Sequence, residues 1–393
     1  MTENALTADS AELAAWLRLA LVPGLGPERQ RKLLAAFGLP SGIFAHSRSS
    51  IAAVIGGDGA DLLLAPCERT AVDAALAWSA EAGNHILTLA DSAYPQSLLD
   101  TADPPILLYV KGDPALLNRP GLAIVGARSS TAQGVANAEA FARSLSEAQL
   151  TIISGLALGI DAAAHGGALS SGEGSTVAVI GTGADRIYPA GNAALAREIA
   201  ASGAIVSEFA LGTPPLRHNF PRRNRLIAGL SHGVLVVEAA IGSGSLITAR
   251  LATEIGREVF AIPGSIHSPL ARGCHRLIRE GAKLVETAED VLEELRGRVN
   301  TLPPARARPR RKTASAPPIT PSQPQLPLTP EASKLLAALG DEAMDIDTLA
   351  LRCGLTVDAL YAILLPMELE AVLVRLPGNR FQRLHKEGAP VRD

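Results

Sequence analysis

"LTIISGLALGIDAAAH", residues 150–165, opens as a β-branched and apolar run, breaks at Ser154-Gly155, and resumes as an alanine-rich segment. Strand, glycine turn, helix is the repeating half of a parallel sheet. The pattern recurs along the chain. Apolar runs stand at 122–126 (LAIVG), 176–181 (TVAVIG), 204–208 (AIVSE), 233–238 (GVLVVE), 258–263 (EVFAIP) and 283–286 (KLVE). Helical stretches lie between them at 132–148, 161–171, 193–202 and 245–256. The alternation predicts an α/β fold whose mostly parallel, doubly wound sheet is covered by helices on both faces. Two earlier runs, HILTL (85–89) and ILLYV (106–110), extend that sheet.

With 393 residues, 47% hydrophobic and 19% charged, the chain can build two or three domains. Its net charge of −3 excludes a generally basic nucleic-acid coat, so any such site has to be a local concentration of charge. Cys67, Cys274 and Cys353 are scattered without a CxxC pair. This argues against structural zinc and a disulfide framework, and fits a reducing, cytoplasmic setting. The opening MTENALTADSAE has no basic or apolar signal region, and no apolar run reaches the ~20 residues of a membrane span.

The clearest boundary is 296–330, with seven Lys/Arg, nine prolines and no acidic residue. It reads as an extended linker, either a solvated spacer or an auxiliary contact for phosphates. Residues 1–80 read as a helical domain. Within it, LRLALVPGLGPERQRKLLAAFG (17–38) is two helices around PGLG, either a helix-hairpin-helix (SAM-like) element or an ordinary helical hairpin. Residues 81–295 hold the sheet. Residues 331–385 read as helix, helix, helix and hairpin, a winged-helix-like unit with PGN as the wing turn. Its second helix of the turn motif, 356–370, carries Asp358, Glu368 and Glu370 and no Lys or Arg. A protein-contact role fits that helix at least as well as DNA binding.

Ligands of an open α/β sheet bind outside the carboxyl ends of the strands. The first run is followed by Gly126-Ala127-Arg128 and a Ser/Thr cap, a turn suited to an anion. The second is followed by Ser154, Gly155 and Gly159, again a phosphate-accepting turn. Asp161 and His165 share one helix face there, too few ligands for a metal. After GVLVVE comes a loop of small donors, Gly242, Ser243, Gly244 and Ser245, without a Walker lysine. Several anion turns in a row suggest a polyanion across the sheet edge, with a sugar phosphate as the other possibility.

Between Glu208 and Glu238 the chain has no acidic residue, but has Arg217, Arg222, Arg223 and Arg225. Phe220 is the only Phe, Tyr or Trp in 210–259. Cations beside a ring are the parts of a groove that tracks a nucleic-acid backbone and stacks a base. The competing reading has Phe220 seating a helix start and Arg225 paired with Glu208 or Glu238.

The ordered set GARSST, ISGLALGIDAAAH, AVIGTGADRIYP, SEFALGTPPLRHNFPRRNRLIAGLS, VVEAAIGSGSLITA, AIPGS and GCHRLIREGA strongly resembles the DNA-processing protein DprA (Smf) family, densely over about 85–290. The resemblance implies an extended Rossmann-like domain that binds single-stranded DNA with little sequence preference. It also implies a role in natural transformation, shielding incoming strands and helping load the RecA recombinase, and a homodimer through the central domain. It places the DNA contacts on Gly126, Arg128, Ser154, Gly155, Gly159, Arg217, Phe220, Arg222, Asn224, Arg225 and Gly242 to Ser245. It implies no catalytic residue and no cofactor. Where some members of the family carry Asn before Leu277-Ile278, this chain has Cys274-His275-Arg276. The alternative is a Rossmann-like nucleoside-monophosphate phosphoribohydrolase. Against it, AIGSGSLITA lacks the glutamate of that group's PGGxGTxxE loop, which leaves Glu208 and Glu238 as the available acid/base pair.

Overall fold

The structure is a computed structural model describing residues 2–66, 69–172, 175–297, 330–340, 343–369, 372–376 and 379–383. Of the predicted linker 296–330, residues 298–329 lie outside the described residues, as do Cys67 and residues 377–378 of the predicted wing turn. The chain divides into two compact units, Met1–Ser130 with Ala138–Leu302, and Thr131–Asn137 with Pro303–Asp393.

Six helices open the first unit: α1 (Thr2–Ala20), α2 (Pro27–Phe37), α3 (Pro40–Ala45), α4 (Arg48–Ile55), α5 (Gly57–Leu64) and α6 (Arg69–Ser79). The PGLG turn joins α1 to α2. The Gln30 side-chain amide donates to the carbonyls of Leu19 and Leu25, at 3.1 and 3.0 Å, and ties that turn shut. Trp16, Leu17, Leu33, Ile51, Leu63 and Trp78 form the core of this layer, continuous with Ile106, Leu107 and Tyr109 of the sheet segment that follows.

That sheet has nine strands: β1 (Asn84–Thr88), β2 (Leu107–Gly112), β3 (Gly121–Val125), β4 (Thr151–Ser154), β5 (Thr176–Val179), β6 (Ala204–Ser207), β7 (Gly233–Val236), β8 (Glu258–Ala261) and β9 (Lys283–Leu284). All nine apolar runs of the sequence become strands. Their spatial order is β1-β2-β6-β5-β4-β3-β7-β8-β9. From β6 to β9 every neighbouring pair is parallel; β1 and β2 are added antiparallel at one edge. The order reverses at β3, with β4 on one side and β7 on the other, so the crevice of a Rossmann-like sheet opens there.

The covering helices are α7 (Ala132–Glu147), α8 (Ile160–Leu169), α9 (Ala193–Ser202), α10 (Asn219–Leu230), α11 (Ser245–Glu254), α12 (Arg272–Arg279) and α13 (Ala288–Arg296). The central strands are buried along their whole length, for example β3, β4 and β7, which is why they read as continuous apolar runs rather than alternations. Leu226, Ile227 and Leu230 plant α10 on Val125, Val179 and Val236 in one core.

The second unit is a winged helix: α14 (Pro330–Leu339), α15 (Ile346–Cys353) and α16 (Val357–Leu369), with β10 (Met344–Asp345), β11 (Leu373–Leu376) and β12 (Arg380–Arg383) in a sheet of order β10-β12-β11. The short β10 gave no strand signal in the sequence. Asp345 caps α15 by accepting from the Thr348 amide at 2.9 Å, and Gly354 closes it in the left-handed conformation. Leu335, Leu349, Leu360, Leu373 and Phe381 fill its core. Among the described residues no single helix is long and apolar enough to cross a membrane.

One buried titratable group sits where α8 packs on β5. His165 is fully buried, and Thr176 donates its hydroxyl hydrogen to the Ile152 carbonyl at 2.7 Å. The His165 Nδ1–H therefore donates to Thr176 Oγ1, at 2.7 Å, and Nε2 has no partner among the described residues. Burial drives its pKa down to about 3, with the Arg223 charge acting the same way. The imidazole is thus neutral in the fold, whereas an unfolded chain takes up the proton near 6.5. The unfolded state binds more protons between those values, so this group removes stability as pH falls from about 6.5 towards 3. His165→Gln cannot titrate, and urea denaturation across that window should show a flatter slope for the variant than for the wild type. Equal slopes would mean that His165 is not the titrating group.

Candidate nucleic-acid interface

The turn after β4 is built around one carboxylate. Asp161, in the first turn of α8, accepts from the amides of Gly155 at 3.1 Å and Ala157 at 3.4 Å. Burial pushes its pKa up, and Arg223 and these amides pull it back. Gly159 enters α8 with φ +77°, and a Cβ there would lie 2.3 Å from the Ala127 carbonyl oxygen. The two turns, after β3 and after β4, therefore touch backbone to backbone, which only glycine permits.

Arg223 locks the floor. Its side chain is buried, and its Nη1 donates to the carbonyls of Gly155, at 2.7 Å, and Val179. Burial lowers its pKa to about 10, still charged at neutral pH, with Asp161 opposing the shift. Gly155 lies between the two charges: a Cβ there would come 2.4 Å from Arg223 Nη1 and 2.7 Å from Asp161 Oδ2.

Above this floor opens a cleft of about 670 Å³. It brings together Gly126 and Arg128 from the first turn, Arg217, Phe220 and Asn224 from the entry to α10, and Ser243, Gly244 and Ser245 from the start of α11. Arg128 and Arg217 are exposed and make no ion pair among the described residues. The Arg128 guanidinium carbon lies 5.7 Å from the Phe220 ring centroid. Tyr188 packs against the same ring at 5.6 Å, tilted by 45°. Ser243 and Ser245 hydroxyls share a hydrogen bond of 2.7 Å at the α11 N-terminus, where the helix dipole favours an anion. The Asn224 amide reaches the Gly244 carbonyl at 3.4 Å.

The other expected contacts are placed differently. Ser154 is buried and donates its hydroxyl to the Ile124 carbonyl at 2.6 Å, and the Gly155 amide is taken by Asp161. The structure thus places Ser154 and Gly155 in the floor beneath the cleft, and Gly159 does not line it. Arg222 and Arg225 turn to the opposite side of α10. Glu208, with its side chain only 2% exposed, accepts from both on one oxygen, from Arg222 at 3.0 Å. Arg225 also pairs with Asp103 at 3.3 Å and donates to its carbonyl at 2.7 Å. Those two arginines are neutralised away from the cleft, as the competing reading had it for Arg225. Gly242 is exposed in the α11 loop but does not line the cleft. The helix itself starts at Asn219, two residues before Pro221, and the Asn219 amide donates to the Gly181 carbonyl at 3.1 Å.

Sequence reasoning missed Tyr188, Asp161 and Arg223 as structural members of the site. Tyr188 stands beside Pro189 in DRIYP, an exposed ring after a strand, which was the available signal. Asp161 and His165 do share a helix, yet each is committed locally, and no group of three or more His, Cys, Asp and Glu suited to a metal occurs among the described residues. Cys274 is buried against the Val236 and Val237 carbonyls, and His275 bonds the Gly264 carbonyl at 2.9 Å.

Residues 85–296 match the family model described as DNA recombination-mediator protein A, and residues 319–379 match the DprA winged helix domain. Protein Smf of Escherichia coli (strain K12) is 43% identical over 313 residues, 79% of this chain and 80% of its own. DNA processing protein DprA of Streptococcus pneumoniae is 50% identical over 207 residues, 53% of this chain and 73% of its own. The X-ray structure of DNA processing protein A from Streptococcus pneumoniae superposes with a TM-score of 0.63 at 41% identity, covering 70% of this chain and 95% of that one. The sheet order, the glycine turns and the arginine-lined cleft thus sit in a chain that belongs to the DNA recombination-mediator protein A (DprA/Smf) family.

Proposed function

We propose that the protein binds single-stranded DNA through the cleft at the β3/β7 switch point, without strong sequence preference. The observation that carries this reading is the pairing of two arginines free of ion pairs, Arg128 and Arg217, with the Phe220 ring between the strand turns. Arg128, Arg217 and the α11 N-terminus neutralise and orient phosphates, and Phe220 stacks a base. Contacts to phosphate position a strand but carry no sequence information, so preference among sequences is weak. As the family resemblance implies, the protein works as a homodimer that shields incoming strands in natural transformation and helps load RecA.

The protein acts as a binder, not as an enzyme. The carboxylates that would have to form a hydrolase's acid/base pair follow β6 and β7, four strand positions apart in the sheet order. At ~4.8 Å per strand that is about 19 Å, beyond the ~5–9.5 Å used by paired catalytic carboxyls. Glu208 is moreover held by two arginines.

Arg128→Ala should weaken binding to single strands of every sequence and flatten the log–log salt dependence by ~0.7 per lost phosphate contact. Phe220→Ala should cost ~1–3 kcal/mol of binding free energy if one base stacks there. A filter-binding salt series checks both, and unchanged affinity and slope would defeat the assignment. The arginines divide by face. Arg217→Ala should lower affinity in a gel shift of single-stranded against duplex DNA while leaving the melting temperature in place. Arg225→Ala should do the reverse, because it strips Glu208 and Asp103 of a buried partner. A pull-down of RecA by a chain lacking residues 296–393 separates recombinase contacts of the sheet unit from those of the tail; retention of RecA assigns them to the sheet unit.

A further inference from the structure

The carboxyl edge of the sheet holds large apolar side chains in water outside the cleft. Leu158 follows β4, Ile187 follows β5, Ile241 follows β7 and Ile266 follows β8. All four are exposed, Ile241 by 57% and Ile266 by 75%. A single exposed aliphatic residue is ordinary. One in each of four loops at the same edge, on both sides of the Arg128 turn, makes a row, and apolar groups gathered in this way mark a contact surface.

The loops after β7 and β8 are tied together. The Ala239 amide donates to the Leu270 carbonyl, and the Gly273 amide to the Ala239 carbonyl, both at 2.7 Å. A Cβ on Gly273 would lie 2.5 Å from that Ala239 oxygen, so the two segments meet backbone to backbone. His275 Nε2 bonds the Gly264 carbonyl at 2.9 Å and fastens the β8 loop to α12. Residues 239–253 and 259–279 contain no Asp or Glu, and Glu238, just before the first stretch, is half-buried. Arg250 and Arg276 are paired with Glu254 and Glu280, and Arg279 bonds a carbonyl at the last residue of α12. Arg272, at the first residue of that helix, is exposed and has no ion pair among the described residues.

β3, β7 and β8 are neighbours and parallel, so their carboxyl ends stand in one row. Two strand spacings, ~10 Å, separate the Arg128 turn from the β8 loop. The Ser243 to Ser245 wall of the cleft follows the strand between them. A nucleotide strand advances ~3.4 Å or more per residue, so about three nucleotides cover that distance. We propose that the bound single strand leaves the cleft over the end of β7 and continues to the end of β8, with a phosphate at Arg272 and bases against Ile241 and Ile266. Aliphatic side chains of this kind wedge against unstacked bases, whereas a duplex keeps those faces stacked inside. This rests on the strand-binding reading above and lengthens its footprint. A second copy of this chain is the other occupant that an apolar edge admits. Continuity with the cleft and an unpaired arginine on loops without carboxylates favour the strand.

Ile266→Trp places a fluorescent reporter on the β8 loop, and the native Trp16 and Trp78 are buried in the helical layer, shielded from added ligand. The full-length variant is titrated with an oligothymidylate of about twelve nucleotides, inside the range that single-strand sites cover. Its emission should be quenched with the midpoint found by filter binding. Ile266→Ser should bind the same strand about fivefold more weakly, the low end of one base contact, with an unchanged melting temperature. Arg272→Ala should flatten the log–log salt slope by ~0.7, and Arg128→Ala combined with Arg272→Ala by ~1.4, the sum of two separate phosphates. Emission that stays constant at saturating strand, or an Arg272→Ala slope equal to that of the wild type, overturns this proposal, and the cleft reading stands as long as Arg128→Ala still weakens binding. Emission that shifts with protein concentration alone, and not with the strand, overturns the strand as occupant and assigns the edge to a second copy. No binding of the strand by the wild-type chain overturns both readings.

Discussion

A guanidinium without access to water holds the cleft together. Arg223 projects from α10 beneath the carboxyl ends of β4 and β5 and donates to the carbonyls of Gly155 and Val179. Taking that charge out of water is expensive, and its lowered pKa is the measure of it. Two carbonyl dipoles and the nearby Asp161 carboxylate offset the cost. The consequence is positional. A helix anchored through its fifth residue cannot slide along the sheet, so Phe220 and Asn224 are fixed over the turns while Arg217 hangs at their entrance. Arg223 touches no ligand in this account, yet the groups that do are placed by it.

The same helix separates charges by function. Positions 220, 224 and 227 fall on one side of a 3.6-residue turn and line the cleft. Positions 222 and 225 fall on the other, where Glu208 and Asp103 cancel them. A chain of net charge −3 can thus present a cationic cleft, because its carboxylates are spent against the arginines that face away. Had all four arginines faced the cleft, mutual repulsion would have opposed the packing of α10. Distributing them leaves Arg217, beside Arg128 of the first turn, where a phosphate backbone can reach both.

The fold was legible because its central strands are buried on both faces. Runs such as TVAV and GVLV have no polar residue to interrupt them, and glycine punctuates their ends. The helical hairpin was legible from PGLG, and the winged helix from the turn Cys353-Gly354-Leu355 between two short helical stretches. The site was legible in part. Arg128, Arg217, Phe220 and the Gly/Ser loop all lie between the carboxyl end of a strand and the first turn of the next helix, so the rule that ligands bind at strand ends points to them. The fates of Ser154 and Arg225 were not legible, because their partners are remote. Ser154 is claimed by Ile124 of a neighbouring strand, and Arg225 by a carbonyl 122 residues away. Local spacing has no access to such contacts. The i, i+3 relation of Arg222 to Arg225 was the one local hint that they share a face apart from Phe220.

The cleft also lacks a part that nucleotide-binding Rossmann sites need. Such sites place an acidic residue near the end of the second strand to hydrogen-bond a ribose hydroxyl. Here the second strand of the parallel set is β4, and it ends in Ser154 and Gly155. The carboxylate lining the cleft, Asp161, is turned inward to the Gly155 and Ala157 amides and is buried. Among the described residues that line the cleft, no free carboxylate is left to hold a ribose. What remains are two cations, a helix start and the rings of Phe220 and Tyr188, which recognise phosphates and base faces. A cleft of that composition gains little from the ribose of a single nucleotide. It gains with each further phosphate that reaches a cation, so its affinity is expected to grow with the length of the strand until the row of strand ends is filled.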